Sequence, residues 1–437
     1  MKYYSTRGKS GAVSFAQAAL TGLAPDGGLF VPQEIPAYSP AVISSFSRLG
    51  FFDLARETIK PFVKGEIPDA ALGDIVEAAF NFPLPLISVG QQNRQDKHNG
   101  QNPQILELFH GPTAAFKDFG ARFMARAFSY LRRGETRPLH ILVATSGDTG
   151  GAVAEGFFEV EGIFVTVLYP KGRVSPLQER QIAGLGGNIR AIAVEGSFDD
   201  CQRLVKAALA DTELKKRRDF SSANSINIAR LVPQAVYYAS CAARLPKAAV
   251  CVPSGNFGNL CAGLYAQAMG APVSRFIAAT NINKTFVEYI ESGEYRPRES
   301  AATISNAMDV GAPSNFERIS AHWPYDKLTA NIAACYVDDD ATRTAISQVY
   351  KTFGYVLDPH GAVGWEALRL LRQAGKLSGQ PAVVLETAHP AKFAEVVEPL
   401  TCPLPLPDSL KNALGRKVAS QVIRADAAEL FDILRAD

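Results

Sequence analysis

Cysteine is scarce: six in 437 residues, at Cys201, Cys241, Cys251, Cys261, Cys335 and Cys402. No two are spaced as CxxC, and none clusters with histidine. A structural metal site is therefore not expected, and the six read as reduced thiols, mostly small core residues. Long apolar runs are missing as well. None reaches the roughly 18 residues that a membrane span needs. The polar opening "MKYYSTRGKSG" lacks the apolar centre of a secretory signal. A cytoplasmic protein without membrane contact is the expectation. Nor is there a surplus of one charge: Lys plus Arg is 45, Asp plus Glu is 43, and the net charge is +2. Proteins that grip duplex nucleic acid carry a basic excess, which argues against that partner. The basic run Lys215-Lys216-Arg217-Arg218 reads as a solvated helix end. Internal repeats and low-complexity tracts are absent. So are GxGxxG and GxxxxGK[ST], so neither a dinucleotide fingerprint nor an ATP-type phosphate loop is supported.

What is present is ordinary globular material, 47% hydrophobic and 20% charged, in a chain long enough for two or three domains. The first part, "SFAQAALTGLAPDGGLFVPQEIP", reads as a short helix, a tight turn and an extended piece. Helical pattern follows at 46–57 and 69–80. The polar stretch Gly90–Asn102 reads as a surface junction, which sets the expected domains at 1–90 and 91–437. Beyond it, apolar runs alternate with helical segments. "LHILVAT" (139–145), "GIFVTVLYP" (162–170), "NIRAIAVEG" (188–196), "AAVCVPSG" (248–255), "RFIAAT" and "PAVVLET" (381–387) read as strands buried on both faces. This predicts a doubly wound α/β assembly, with ligands held by the loops at the strands' carboxyl ends.

Two such loops, "TSGDTGG" (145–151) and "SGNFGN" (254–259), are rich in small and polar residues and open helices. They read either as anion cradles made of backbone N–H groups or as tight capped turns. In "SSANSINIARLVPQ" (221–234), Asn224 and Ser225 precede a helix with Arg230 in its first turn. A cation there opposes the helix dipole. It suits a bound anion, or a surface ion pair. In "ELFHGPTAAFKDFG" (107–120), Phe119, Phe123, Ala127 and Leu131 make an apolar helical stripe. Lys117 sits at the start of that helix beside Phe116. It is either a lysine that snorkels between aromatics or one that sheds its proton easily and bonds an aldehyde. With two anion cradles downstream, a phosphate-bearing aldehyde such as pyridoxal 5'-phosphate (PLP) is a coherent ligand. The six histidines (His98, His110, His140, His322, His360, His389) are isolated and read as structural; His110 and His389 lie in motif segments.

Taken together, "HGPTAAFKDFG", "TSGDTGG", "NSINIAR", "SGNFGN" and "STRG…GLAPDGGLFVP" resemble the threonine synthases, members of the fold-type-II, tryptophan-synthase-β-like PLP enzymes. The resemblance runs in order along nearly the whole chain. It implies mainly parallel, doubly wound sheets in two lobes with a small amino-terminal domain. It implies Lys117 as the Schiff-base lysine, Ser254, Gly255, Asn256, Phe257, Gly258 and Asn259 around the cofactor phosphate, and Thr387 of "ETAHPAKF" near the pyridine nitrogen. The substrate implied is O-phospho-L-homoserine, which is converted with water to L-threonine and phosphate. For its phosphate the resemblance points to Asn224, Ser225 and Arg230, and for its amino-acid end to Ser146, Asp148 and Thr149. Many relatives carry asparagine where Asp148 stands, which puts the inherited role of that position in doubt. "APSNFERI" (312–319) reads as a surface loop, with pocket closure by Asn315 and Arg318 as the alternative. A monomer is expected, with a dimer as the alternative. A dehydratase or phospholyase of the same fold, and a non-catalytic phosphate-binding homologue, are the competing functions.

Overall fold

The computed structural model describes residues 1–90, 102–377 and 379–436; of the junction expected at Gly90–Asn102, residues 91–101 lie outside the described residues. At the amino end β1 (Tyr3–Ser5) and β2 (Phe30–Pro32) pair antiparallel, Tyr3 opposite Pro32. Next come β3 (Leu86–Ser88), β4 (Gln104–Glu107), β5 (Leu139–Ala144), β6 (Ile163–Pro170) and β7 (Ile189–Glu195). The remaining strands are β8 (Asp219–Ser222), β9 (Ala248–Pro253), β10 (Val273–Thr280), β11 (Ile332–Tyr336), β12 (Ala382–Glu386) and β13 (Ser420–Arg424). They build two larger sheets, ordered β11-β10-β9-β12-β4-β3 and β13-β7-β6-β5-β8. Every pairing in these sheets is parallel except β3 with β4. All six strands expected from sequence form.

The apolar runs are continuous because each sheet is covered on both faces. Along β5, Leu139, Ile141 and Val143 enter the main core, while Leu142 and Ala144 enter a second core with Cys201, Leu204 and Leu430. Along β9, Val250 and Val252 face the main core and Ala249 and Cys251 a third. Five carboxyl ends carry the polar segments. Those of β4, β5, β8, β9 and β12 lead into the stretches that hold Lys117, Ser146–Thr149, Asn224–Ser225, Ser254–Asn259 and Thr387.

The amino-terminal piece is fastened to this body by a buried arginine. Residues 312–319 are not a surface loop: the helix Phe316–His322 begins there, and both Asn315 and Arg318 are fully buried. Arg318 Nε and Nη2 both donate to Phe30 O (3.1 Å each), Nη2 also donates to Ile226 O (2.7 Å), and Nη1 donates to Asn315 Oδ1. A desolvated guanidinium is tolerated because carbonyls and an amide oxygen take its donors. Nothing local in "APSNFERI" announces those partners. The basic run at 215–218 is divided: Lys215, Lys216 and Arg217 are exposed at a helix end, whereas Arg218 is buried and bonds His140 Nδ1 at 3.1 Å.

Close packing fixes the helix Gly258–Met269, whose first turn opens onto the candidate site. A Cβ at Gly263 would stand 2.8 Å from ring atoms of both Phe276 and Tyr238. Gly263→Ala should therefore cost about 1–3 kcal/mol through overpacking, read as a lower midpoint in thermal or urea unfolding. A midpoint at or above that of the parent would show that the rings yield freely.

All six cysteines are free, four of them buried. Burial pushes the Cys241 and Cys261 thiols up to about 12, the range of inert core thiols. Among the described residues no helix is long and apolar enough to cross a membrane, and no group of His, Cys, Asp and Glu has the arrangement of a metal site.

Candidate active site

Lys117 is placed by two neighbouring strand ends. Leu108 N donates to Glu386 O (2.9 Å), Phe116 N to Thr387 O (2.8 Å) and His389 N to Ala114 O (3.0 Å). These bonds lay the 108–116 segment along the end of β12. The helix Lys117–Leu131 starts there, with Asp118 in its first turn. Asp118 accepts the Thr113 amide (2.9 Å) and hydroxyl (2.6 Å), which closes the loop. Burial pushes the Asp118 carboxyl up to about 6 against those bonds. Phe119, Phe123 and Ala127 are buried as the stripe predicts, and Phe119 packs edge-on against Phe82 and Tyr237.

The Lys117 side chain is partly exposed, and its exposed part opens into a cavity of about 420 Å³. Nζ lies 5.6 Å from the centre of the Phe116 ring. Burial lowers its proton affinity to about 8, helped by the positive charges of Lys392 and Arg230 and opposed by Asp148 and Asp358. A cavity-lining lysine of lowered proton affinity fits the easily deprotonated reading rather than the snorkelling one.

Every residue expected to hold the cofactor or the substrate lines that same cavity: Lys117, Ser254–Asn259, Thr387, Ser146, Asp148, Thr149, Asn224, Ser225 and Arg230. At Ser254–Asn259 the chain turns sharply, with Phe257 left-handed at φ +59, and the twelve-residue helix Gly258–Met269 begins. A Cβ on Gly255 would lie 2.8 Å from Ala307 O and from Met308 Cα, so only glycine lets the backbone lie this close. Tyr237 and Tyr238 both donate to Asn259 Oδ1 (2.6 and 2.7 Å). That fixes the amide so that Nδ2, which is buried and has no protein partner, remains a free donor. A helix start, a left-handed turn and an orphaned N–H suit a dianionic phosphate. The residues present thus fit PLP: a phosphate cradle, a depressed lysine amine, and Thr387 in one hollow.

Arg230 lines the same cavity. It is buried in the short helix Ile228–Leu231, and burial lowers its affinity to about 10. Nη1 donates to Ala223 O at 2.6 Å, while Nε has no partner. Unlike Arg318 it is not capped by several acceptors, and it forms no ion pair among the described residues. A buried guanidinium in that condition is costly unless an anion arrives. Gly120 lets the Lys117 helix approach it; a Cβ there would meet Arg230 O at 2.7 Å. Asn224 is held by Nδ2 to Ala144 O (2.7 Å), and Ser225 Oγ accepts from Asn256 Nδ2 at 2.6 Å. The two anion loops therefore touch each other.

The 145–151 loop differs from a bare amide cradle. Its Gly147 and Gly150 amides are engaged by Thr145 Oγ1 (3.0 and 2.8 Å). Gly147 has φ +147, and a Cβ on it would strike Gln178. Gln178, the N3 residue of a capping box with Ser175, also donates to Asp148 Oδ1 at 3.0 Å. Asp148 further pairs with Lys392 at 2.6 Å, both side chains almost fully buried. Burial raises the Asp148 carboxyl, but Lys392 and Lys117 outweigh it and hold it well below the usual carboxylate range.

Sequence reasoning missed Lys392, Gln178 and His360. Lys392 was within "ETAHPAKF", a segment read for its threonine. The reading of every histidine as isolated fails at His360, which lines the cavity. His360 Nδ1 bonds Asp358 Oδ1 (2.5 Å), and its Nε2 accepts the Ala307 amide (3.3 Å). Of the others, His110 pairs with Glu107, His140 with Thr166 and His322 with Tyr265, while His389 accepts the Ala391 amide. His98 lies outside the described residues. Asn315 and Arg318 are not among the cavity-lining residues.

Comparison with known proteins gives a consistent family. A family model for pyridoxal-phosphate-dependent enzymes matches residues 88–387, one for the threonine synthase N terminus matches 2–80, and one for the threonine synthase C-terminal region matches 361–433. The chain is 42% identical over 445 residues to threonine synthase of Escherichia coli K12, covering 99% of each. Among solved structures, Escherichia coli threonine synthase superimposes with a TM-score of 0.90 at 41% identity, covering 100% of both chains. A PLP-bound threonine synthase from Brucella melitensis gives 0.89 at 36% identity, covering 100% of this chain and 99% of that one.

Proposed function

The chain belongs to the threonine synthase family of PLP-dependent enzymes, and from that premise we propose that it converts O-phospho-L-homoserine and water to L-threonine and phosphate. The observation that carries the reading is one cavity shared by a lysine of lowered proton affinity and two adjoining anion loops. The division into 1–90 and 91–437 is part of the same proposal, supported by the separate β1–β2 pair.

In this reading the Ser254–Asn259 turn, with Asn259 Nδ2, holds the cofactor phosphate. Thr387, which lines the cavity, would offer the ring nitrogen a hydroxyl, which, unlike a carboxylate, does not force protonation. Lys117 Nζ would be the amine that holds the cofactor's aldehyde end. PLP, when bound, supplies the electron sink for charge left on the substrate's α-carbon. The Lys117 amine would take the proton from the substrate's Cα and then serve Cβ. Arg230, Asn224 and Ser225 bind the substrate phosphate, and Arg230 stabilises it as it leaves Cγ. Ser146 and Thr149 orient the amino-acid end. Water adds at Cβ, protons return to Cγ and Cα, and threonine is released.

The test is direct. Purified protein given phosphohomoserine should release threonine and inorganic phosphate in equal amounts. Ammonia and a keto acid in place of threonine would instead identify a dehydratase or phospholyase chemistry on the same scaffold.

A further inference from the structure

Lys392 is a buried cation that the proposed function leaves without a role. Its side chain is fully buried, yet it forms part of no surface network. Nζ donates to Thr113 O (2.9 Å) and pairs with Asp148 Oδ1 (2.6 Å). It is carried on the short turn Pro390–Phe393, just beyond Thr387. A buried ammonium is expensive, and apolar replacement of a buried pair is often neutral or stabilising. Stability alone therefore does not account for it; its pairing with Asp148, which lines the Lys117 cavity, offers another reason.

Two lysines act on one carboxylate: Lys392 pairs with Asp148 directly, and Lys117 lines the same cavity as Asp148 and feels its charge. Asp148 is the anion with the strongest influence on Lys117, and Asp358 adds less. The cations that oppose them are Lys392 and Arg230; Asp118 lies on the lysine's own helix. If Lys392 were absent, Asp148 would be left to Lys117. A buried lysine beside an unshared carboxylate is held as an ammonium, and an ammonium has no lone pair to give an aldehyde. With Lys392 and Gln178 both on Oδ1, the carboxylate's charge is already shared before it acts on Lys117.

We propose that Lys392 is a positioning residue that competes with Lys117 for Asp148, and that this competition keeps the Lys117 amine free to bond and to move protons. The inference rests on the reading of Lys117 given under the proposed function, and it concerns a step that can be watched without turnover.

The experiment uses full-length apoprotein and follows its recombination with PLP by absorbance above about 400 nm across the range from about pH 6 to 10. Lys392→Gln removes the charge but keeps a donor for Thr113 O; Lys392→Met removes both. Either should slow recombination about tenfold near neutral pH, with the deficit closing as the solution becomes alkaline. The double variant Lys392→Gln with Asp148→Asn removes both charges and should recover the parent rate to within about threefold. A purely structural role predicts a deficit that is the same at every pH and is not recovered by the double variant, and that result would overturn the proposal. Circular dichroism sorts out variants that fail to fold. Should both single variants be unfolded, the double variant decides: a parent-like pH profile supports charge competition, and a uniformly slow one refutes it. If the parent apoprotein itself gains no such absorbance, the reading of Lys117 falls first; if it does and only the pH profile fails to move, this inference falls alone.

Discussion

Lys117→Ala should be colourless above about 400 nm and lose turnover by on the order of 10⁴-fold or more, because covalent attachment and proton transfer disappear together. The reason is spatial. Its amine opens into the cavity that also receives the Ser254–Asn259 turn and Thr387. Melting should change little, since the helix is held by Phe119, Phe123 and the Thr113–Asp118 closure, none of which involves the lysine amine. The same group sets a pH dependence whose sign comes from its lowered affinity of about 8. Below that value the ammonium form grows, so parent apoprotein should take up cofactor more slowly by about tenfold for each pH unit. A variant that keeps its visible band, or an uptake rate that rises on acidification, would exclude Lys117 from this role.

Arg230→Gln is the second large effect. It should lower kcat/KM for phosphohomoserine by about 10²–10³-fold while leaving cofactor uptake intact. The parent guanidinium is buried and pairs with no carboxylate among the described residues, so most of its favourable charge interaction awaits the substrate. Glutamine retains a donor for Ala223 O, which limits the structural cost. Measuring activity and cofactor retention on the same preparation separates the outcomes. Loss of PLP with little change in KM would mean that the two anion loops have been assigned in reverse.

How much of this was legible beforehand depended on whether a residue's partners lie close in the chain. β5, β9 and β12 announce themselves because both faces are buried, so the run is apolar throughout. β8, "DFSS", and β13, "SQVIR", do not; the first is short and polar, and in the second Ile423 alone is buried. Their strand character comes from pairing with β5 and β7, a tertiary fact. The site behaves the same way. Glycine loops and a lysine at a helix start are local patterns. The Asp148–Lys392 pair is not, and the aspartate that made the inherited asparagine role doubtful finds its explanation in a lysine far along the chain. Arg318 looked solvent-facing for the same reason: its acceptors, Phe30 O and Ile226 O, come from segments that no window around it contains.

That arginine also bears on how the molecule could be dismantled. The first ninety residues read as a module, and one would expect to be able to clip them off. Yet the Arg318 fork spans Phe30 and Ile226, Thr6 hydroxyl bonds Glu317 at 2.5 Å, and Phe62 stacks on Tyr265 at 6.0 Å between centroids. A shortened chain would take Phe30 O from the Arg318 guanidinium, leaving it Ile226 O and Asn315 Oδ1, and would uncover the face of Tyr265 that Phe62 covers. The leading segment is a keystone rather than an appendage.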